Sequence, residues 1–294
     1  MVNLNLKIDE EKCIHCGKCI KDCMAGVLEF DENNIPKVAK GGENRCIKCQ
    51  HCLAVCPVGA LSILDKAPEN SEVIREYDSD ILLNLIKSRR SFRFYKNENL
   101  DADRMEKLKN MLNWVPTGVN NHRLHFSFVD DLEVMNDVRE YTNKKIIELV
   151  SRPIADNLTK KFERYKKAIL KGNDIIFRGA PHMVVVSSPI DAPCRDVDPM
   201  IALSYFELYA QSLGVATCWC GLGYNALNFF PELCKQFEIP EGYKVSYTML
   251  FGPADIKYSR AIQPEPYEMV SVKKGGREMS LMERIRRVLY NRGV

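Results

Sequence analysis

Eight of the twelve cysteines lie in two short runs near the beginning of the chain, and both runs have the spacing C-x2-C-x2-C-x3-C. The sulfurs belong to Cys13, Cys16, Cys19 and Cys23 in the first run and to Cys46, Cys49, Cys52 and Cys56 in the second. Such self-similarity marks an internal repeat. The first part of the fold must therefore form around whatever these thiolates bind.

Two other uses of cysteine fit the runs less well. Structural zinc sites usually take two CxxC pairs separated by a longer finger, whereas each run here has four sulfurs in close succession. Disulfides require an oxidising compartment, and no secretory apolar segment follows Met1. Zinc and disulfides stay as alternatives, and the spacing favours iron–sulfur clusters.

The spacing resembles that of the bacterial ferredoxins with two 4Fe–4S clusters, and the second run closes with Cys56-Pro57. In that pattern the fourth cysteine of each run binds the other cluster. The resemblance implies one cluster on Cys13, Cys16, Cys19 and Cys56 and another on Cys46, Cys49, Cys52 and Cys23. Met24 stands after Cys23 where the pattern has proline, which shapes the chain after the ligand and leaves the sulfur unchanged.

Size and charge restrict the classes of protein. A chain of 294 residues accommodates a small domain and a larger one. The formal net charge of +3 is near balance and does not indicate nucleic-acid binding. No apolar stretch reaches the roughly 18 residues that span a bilayer, so no membrane association is predicted. With reduced sulfurs and no targeting segment we expect a cytoplasmic protein, and the oxygen sensitivity of low-potential clusters favours an anaerobic host.

A polar connector, from Asp65 to Asp80, divides the chain. The predicted parts are a two-cluster ferredoxin-like domain over residues 1–66, a linker over 67–79 and a second domain over 80–294. Each cysteine run is followed by a short apolar segment, residues 27–30 and 60–64. We expect these segments to be strands that pair with each other across a pseudo-twofold axis.

The second domain alternates amphipathic helices with a few apolar strands. Ser79 and Asp101 are predicted to cap its first two helices. Further helices are predicted over residues 134–150, 158–170, 200–213 and 225–237 (with Pro231 as a breakpoint), and at the end of the chain, where Leu281, Ile285, Val288 and Leu289 share one side. Strands are predicted over 183–187 and 244–251. The pattern indicates an α+β fold, with a central antiparallel-type sheet flanked by helices.

A basic segment follows the first of these helices. Its guanidinium groups and hydroxyl could bind a phosphate monoester, although such a run is more often a solvated face. Residues 89–95 resemble the R-R-S-x-R-x-F/Y opening of the nitroreductase family, whose members bind FMN. The resemblance implies that the flavin phosphate is held by Arg89, Arg90, Ser91 and Arg93.

Residues 115–122 are similar to the A-P-S/T-x-x-N-x-Q segment of the same family. The resemblance implies that the flavin ring and ribityl chain lie along Pro116, Thr117, Gly118 and Asn120. The family often continues with Gln-Pro-Trp, where this chain has His122-Arg123-Leu124, so the edge of the substrate pocket should differ. His122 is the first candidate for a catalytic proton donor, and His125 is a weaker one. A lone histidine, however, is more often a packed or surface residue. The catalytic residue is otherwise unassigned.

Residues 213–221 resemble the family's L-G-L/V-x-S/T-x-W-x-G segment, which implies that the N–H groups of Cys220 and Gly221 face the flavin edge. Arg260 aligns with a late basic residue that supports the phosphate. Together the resemblance covers about residues 80 to 265.

The remaining cysteines and a basic stripe have simpler interpretations. A redox or nucleophilic role is conceivable for Cys218 and Cys220, but free cysteines are usually small buried hydrophobic residues. The same interpretation applies to Cys194 and Cys234. The basic stripe between Lys160 and Lys171 is predicted to be a solvated helix face, with docking of an acidic redox partner as the alternative.

Together the two resemblances predict a converter between one-electron and two-electron chemistry. Clusters pass single electrons, whereas FMN stores two and releases them as a hydride equivalent. No G-x-G-x-x-G segment indicates a nicotinamide site, so we expect electrons from reduced ferredoxin or a similar low-potential donor. The acceptor would be a nitroaromatic, a quinone or an activated alkene, and the family implies a homodimer with FMN at the subunit interface. The alternatives are a non-catalytic electron relay to a protein partner, a flavin-modifying enzyme and a dehalogenase.

Overall fold

The computed structural model describes residues 3–151, 165–272, 274 and 279–291. By compactness the chain forms two units, Met1–Ser259 and Arg260–Val294. The first unit contains the cysteine-rich segment together with a larger helix-and-sheet body, and the described part of the second contains one helix. This division does not test the predicted boundaries at residues 66 and 80, which stay predictions.

The cysteine-rich segment contains two small antiparallel sheets and two short helices. Its strands are β1 (Lys7–Ile8), β2 (Leu28–Phe30), β3 (Pro36–Val38) and β4 (Leu61–Ser62), and its helices are α1 (Lys18–Lys21) and α2 (His51–Ala54). Strand β1 pairs with β4, and β2 pairs with β3. The predicted pairing of the segments that follow the two runs is therefore wrong.

A local turn explains this pairing. The Asp31 side chain accepts hydrogen bonds from the N–H groups of Asn33 and Ile35, at 2.8 Å each, and so reverses the chain directly after β2. Such Asx turns favour pairing with the next segment in sequence over pairing with a distant one. Leu28 then packs with Leu4 and Leu61 in a small core between the two sheets.

The larger body is built on a four-stranded sheet in which every neighbouring pair is antiparallel. Its strands are β5 (His125–Val129), β6 (His182–Pro189), β7 (Val215–Trp219) and β8 (Tyr243–Pro253), in the order β5-β6-β8-β7. Along β6, Val185 packs into one core, whereas Val184 and Val186 pack into another. Because successive side chains of a strand point to opposite faces, both faces of the sheet are covered. The predicted helix-flanked sheet is confirmed.

The larger body also contains helices before and between the strands. They are α3 (Ser79–Ser88), α4 (Ala102–Met111), α5 (Leu132–Val150), α6 (Lys166–Leu170), α7 (Asp198–Ser212), α8 (Gly221–Phe229) and α9 (Pro231–Gln236). Asp101 caps α4 as predicted. Ser79 does not cap α3, because the Asp78 carboxylate one residue earlier already accepts from the N–H groups of Asp80 and Ile81. Pro231 divides the predicted helix 225–237 into two, since proline fits the first turn of a helix but not its interior.

The second unit contains α10 (Leu281–Asn291), which begins at a capping box. Ser280 Oγ accepts from the Glu283 N–H at 3.3 Å, and the Glu283 carboxylate accepts from the Ser280 N–H at 2.9 Å. The side chains of Val288 and Leu289, and most of the basic helix predicted over 158–170, lie outside the described residues. Within the described ranges, no helix is both long and apolar enough to span a membrane.

Candidate functional site

The first set of predicted cluster ligands surrounds one small cavity. Its lining includes Cys13, Cys16, Cys19 and Cys56, together with apolar side chains such as Ile8 and Leu61. Burial raises the pKa of the Cys19 thiol, and the neighbouring charges of Cys56 and Cys16 act in the same direction. The last cysteine of the second run thus lies with three cysteines of the first.

The second set is also close together. Burial raises the pKa of the Cys52 thiol to about 11, and neighbouring thiolates contribute to this shift. These neighbours are Cys49, Cys23 and Cys46. Cys23, the last cysteine of the first run, therefore lies beside the three cysteines of the second run. Both exchanged ligand sets that the resemblance implies are brought together in space.

Backbone N–H groups point at several of these sulfurs. Ala60 donates to Cys56 Sγ at 3.2 Å, and Val27 donates to Cys23 Sγ at 3.4 Å. Hydrogen bonds to ligand sulfurs stabilise the thiolate form and are one of the factors that set the potential of an iron–sulfur cluster. The two exchanged cysteines are therefore held by equivalent bonds, each from the residue four positions later.

The arrangement of the sulfurs bears on the alternatives of zinc and disulfides. All twelve cysteines are unpaired thiols. Among the described residues, no three Cys, His, Asp or Glu side chains converge closely enough to hold a single ion. Zinc draws its thiolate ligands to about 2.3 Å, whereas the cysteines of a four-iron cluster bind separate irons and stay further apart.

The basic segment after α3 lies along the edge of the large sheet. Phe92 N donates to Thr217 O of β7 at 2.8 Å, and Lys96 N donates to Pro253 O at the end of β8 at 3.0 Å. The segment thus adds a short extended stretch beside β7. Its main chain is fixed, so the direction of each basic side chain is fixed by its position in the strand.

Arg89 is paired within the protein. Its Nη1 lies 3.2 Å from Glu207 Oε1, and the other carboxylate oxygen accepts from Trp219 Nε1 at 3.0 Å. Glu207 is buried in helix α7. A buried carboxylate requires such partners, so Arg89 neutralises Glu207 and orients it toward Trp219. The predicted phosphate contact of Arg89 stays a prediction, and this pairing gives it no support.

Arg90 has a donor left over. Its Nη1 donates to the carbonyl oxygens of Lys87 and Arg89, whereas its Nη2 is buried and has no partner among the described residues. Buried polar atoms are nearly always satisfied, so an unpaired guanidinium nitrogen indicates an acceptor that binds there. Ser91 follows directly, and Arg93 is exposed and donates to the Ser91 carbonyl at 3.2 Å. These three residues fit a phosphate group.

Gly118 is clamped by helix α7. Its N–H donates to both carboxylate oxygens of buried Asp198, each at 3.0 Å. A Cβ at Gly118 would lie 2.5 Å from Cys194 Sγ, closer than any real contact. Glycine is needed here because the loop packs directly on Cys194 and Asp198. The N–H of Gly118 is therefore already bonded to Asp198. Pro116, two positions earlier, is exposed.

Asn120 contacts the cysteine-rich segment. Its Nδ2 donates to Ile47 O, within the second cysteine run, at 3.0 Å, and its Oδ1 lies 2.9 Å from His122 Nε2. The main-chain N–H of His122 donates to Thr117 Oγ1 at 3.0 Å. The predicted flavin contact of Asn120 stays a prediction, because its side chain has two protein partners. The candidate proton donor His122 is held in the same loop.

The segment after β7 begins helix α8. The N–H of Cys220 donates to Thr248 O at 2.9 Å, so it belongs to the sheet, whereas Gly221 starts the helix and its N–H faces outward from the first turn. Burial raises the pKa of Cys220 to about 12 and also raises that of Cys218. Thiols that resist ionisation are poor nucleophiles, which supports the interpretation of both cysteines as packing residues.

One basic residue near this site was not predicted. Arg178 is exposed, has a left-handed φ of 54°, and lies in a loop braced by Asp174, whose carboxylate accepts from Arg139 Nε at 2.6 Å. The charges of Arg93 and Arg178 lower the pKa of Cys218 against the effect of burial, so both guanidiniums lie near β7. No spacing in the sequence singles out Arg178, because the loop brings it there from a distant position. Arg260 belongs to the second unit.

Comparisons with known proteins agree with this description. Residues 86–253 match the sequence model of the Nitroreductase family, and residues 12–60 match that of the 4Fe-4S dicluster domain. No curated protein matches the chain.

Several solved structures have the same fold over the larger body. A nitroreductase with bound FMN from Desulfitobacterium hafniense DCB-2 is 24% identical, with a TM-score of 0.53 over 65% of this chain and 98% of that one. A nitroreductase with bound FMN from Bacteroides fragilis NCTC 9343 is 23% identical, with a TM-score of 0.50 over 69% and 100%. An FMN-dependent nitroreductase from Clostridium difficile R20291 is 20% identical, with a TM-score of 0.50 over 66% and 100%.

Proposed function

The chain belongs to the nitroreductase family, and we propose that it is an FMN-dependent oxidoreductase supplied with electrons by two 4Fe–4S clusters. The two sets of cysteines would hold clusters that pass single electrons from a low-potential donor. Bound FMN would supply the two-electron chemistry for reducing a small electron-poor organic molecule. One observation carries this proposal. The single compact unit Met1–Ser259 holds all eight cluster cysteines and the whole segment that matches the family.

The residues present fit the flavin phosphate at one place. Arg90 supplies a buried Nη2 that has no partner among the described residues, and Ser91 and Arg93 follow it closely in sequence. The N–H of Gly221, in the first turn of α8, is available to the flavin edge. Bound FMN would supply a two-electron store that the clusters fill one electron at a time. Arg260 is proposed as a further phosphate contact by resemblance alone.

The acceptor is proposed to be a nitroaromatic, a quinone or an activated alkene. At the pocket edge, Arg123 is held by Asp191, with Nη2 2.9 Å from Oδ1, and this ion pair stands where the family often has proline. His122 lies in the same loop, with its Nε2 2.9 Å from Asn120 Oδ1. A charged, hydrogen-bonded edge favours acceptors with oxygen substituents over purely apolar ones.

A homodimer with FMN at the subunit interface is proposed as the assembly. Helix α3 supports it, because its apolar side chains Ile81, Leu82, Leu83 and Ile86 are exposed. An exposed apolar surface of this kind marks a protein–protein interface. The basic segment 89–95 follows directly, so an interface on α3 lies beside the proposed phosphate site.

The proposal is tested with protein purified in the absence of oxygen. About eight iron atoms and one FMN per chain are expected, the iron from two four-iron clusters. Dithionite-reduced protein should then convert nitroaromatic, quinone or alkene acceptors to reduced products as the flavin absorbance returns. Reoxidation only by protein partners would instead identify an electron relay, halide release a dehalogenase, and an altered flavin mass a flavin-modifying enzyme.

The phosphate assignment is tested by Arg90→Ala. Loss of a charge-assisted hydrogen bond should weaken FMN binding about tenfold to a hundredfold, with iron content unchanged. Flavin fluorescence titration of the flavin-free protein measures the dissociation constant. Arg104→Ala, which removes a half-buried guanidinium paired with Asp101, is the matched control. Full flavin content in the Arg90 variant would contradict the assignment.

A further inference from the structure

The loop of the second cysteine run is hydrogen-bonded to loop 116–122, the segment that the family resemblance assigns to the flavin ring and ribityl chain. Asn120 Nδ2 donates to the main-chain oxygen of Ile47 at 3.0 Å. Ile47 directly follows Cys46 and precedes Cys49, so its carbonyl belongs to the turn that carries two predicted ligands of the second cluster. The contact therefore joins one particular cluster loop to the loop at the flavin site.

The two partners determine the orientation of the Asn120 amide. The Ile47 carbonyl can only accept, so the amide nitrogen must face it, and the amide oxygen then faces His122. His122 consequently carries its proton on Nε2 and donates it to Asn120 Oδ1 at 2.9 Å. Both polar ends of Asn120 are thus used to connect Ile47 with His122.

The loop holds Asn120 in this position by its own conformation. Val119, Asn120 and His122 have φ values of 50°, 54° and 47°, in the left-handed region that residues other than glycine seldom adopt. Such strain persists only where the surroundings impose it. Here Asp198 fixes the N–H of Gly118, and Thr117 Oγ1 fixes the N–H of His122. A rigid loop therefore presents the Asn120 side chain to Ile47.

We propose that the cluster bound by Cys46, Cys49, Cys52 and Cys23 is the immediate electron donor to the flavin, and that Asn120 is the positioning residue that docks its loop. This inference rests on the proposed function. It divides the work of the two clusters: the one on Cys13, Cys16, Cys19 and Cys56 receives electrons from the external donor or exchanges them with its neighbour. In each transfer the second cluster loses one electron and the flavin gains one. Two transfers, with one proton from water, give the hydroquinone anion.

The first test measures flavin reduction in the full chain, loaded with FMN and both clusters. Reduced methyl viologen is mixed with the protein under anaerobic conditions, and cluster and flavin absorbance are followed separately. Asn120→Asp keeps the size of the side chain but faces the Ile47 carbonyl with an acceptor. We expect flavin bleaching to slow about tenfold, the factor for loss of one hydrogen bond, while cluster bleaching and flavin content stay unchanged.

Asn113→Asp is the matched control, because Asn113 is an exposed residue of the preceding turn. Hydrogen exchange of the peptide that contains Ile47 should be faster in Asn120→Asp than in Asn113→Asp. Equal rates of flavin reduction in the two variants, or loss of FMN from Asn120→Asp, would overturn the positioning role. If the wild-type clusters never reduce the flavin, the proposed function itself fails, and the inference fails with it.

A second pair of variants tests which cluster is the donor. Cys49→Ser and Cys16→Ser replace the same position of the two runs, and iron per chain shows whether both proteins have assembled. Viologen, a small donor, can reach either cluster, so Cys49→Ser should slow flavin reduction more than Cys16→Ser. An equal effect, or the reverse order, would overturn the assignment of the second cluster.

Discussion

At the scale of single residues, two buried carboxylates on helix α7 bind groups that belong to the candidate site. The resemblance indicated that Arg89, Arg90 and Gly118 touch the flavin. In the structure, Arg89 pairs with buried Glu207, and the N–H of Gly118 donates to buried Asp198. Arg90 has an Nη2 without a partner among the described residues. Both carboxylates lie on helix α7. Glu207 is 118 positions from Arg89 along the chain, and Asp198 is 80 positions from Gly118. No local pattern encodes such pairings.

His182 makes stability depend on pH. It is fully buried at the start of β6, its Nε2 accepts from the Leu100 N–H at 2.8 Å, and its Nδ1 has no partner among the described residues. Burial lowers its pKa from 6.5, because a charge there would be desolvated. In the unfolded chain the ordinary pKa of 6.5 returns, so below that pH the unfolded state binds more protons and the folded state loses stability.

We therefore expect the free energy of unfolding, measured with urea, to fall as the pH is lowered from about 7.5 through 6.5 to the depressed pKa of His182. His182→Gln keeps an acceptor for Leu100 and removes the titration. This variant should be less stable at neutral pH but show a shallower loss over the same interval. An equally steep loss in the variant would place the titrating group elsewhere.

At the scale of elements, periodicity located most helices of the described residues and the two longest strands, but it did not give the pairing of the strands or every helix cap. The helix predicted over 158–170 lies mostly outside the described residues. Strand β6 was predicted because its core is uniformly apolar, whereas β5 contains His125 and Ser127 and lacks such a pattern. Strand β7 was not predicted, because it lies within residues 213–221, which were analysed only for their resemblance to a flavin-binding segment. The pairing of β2 with β3 depends on the turn at Asp31. This turn is not part of the cysteine repeat from which the strand pairing was predicted.

The loop at Gly118 packs directly against Cys194. Gly118→Ala would place a Cβ 2.5 Å from Cys194 Sγ and 2.9 Å from Cys194 Cβ. Overpacking of this kind costs about 1–3 kcal/mol, and it should also displace Asn120. We expect reduced stability in urea denaturation together with weaker FMN binding. Because Cys194→Ala removes the nearer of these atoms, the double variant should recover part of the stability. Full additivity of the two changes would show that they do not touch.

At the scale of the whole molecule, the larger body has an extensive apolar core, whereas the cysteine-rich segment does not. The sheet body buries two large clusters of side chains, while the segment buries only seven apolar residues in its own core. Segments this small seldom fold without metals or disulfides. The clusters therefore contribute to folding as well as to electron transfer, which the density of cysteines in the sequence already indicated.

Removal of the iron should unfold one part of the chain and spare the other. After oxidative loss of the clusters and chelation, amide hydrogens over residues 4–64 should exchange rapidly, because ligand binding is coupled to folding there. Amides of β6 and β8 should stay protected, since their core does not depend on metal. Hydrogen exchange with mass spectrometry distinguishes the two regions. Uniform loss of protection across the chain would contradict independent folding of the sheet body.

The chain has two tryptophans in contrasting positions. Trp114 is 83% exposed, whereas Trp219 is half-buried and donates to Glu207 just before Cys220 and Gly221. Indole emission shifts with the polarity around the ring, so the two fluorophores emit at different wavelengths. The blue-shifted emission of Trp219 then reports on flavin binding near the end of β7, and the red-shifted emission of Trp114 serves as an internal reference.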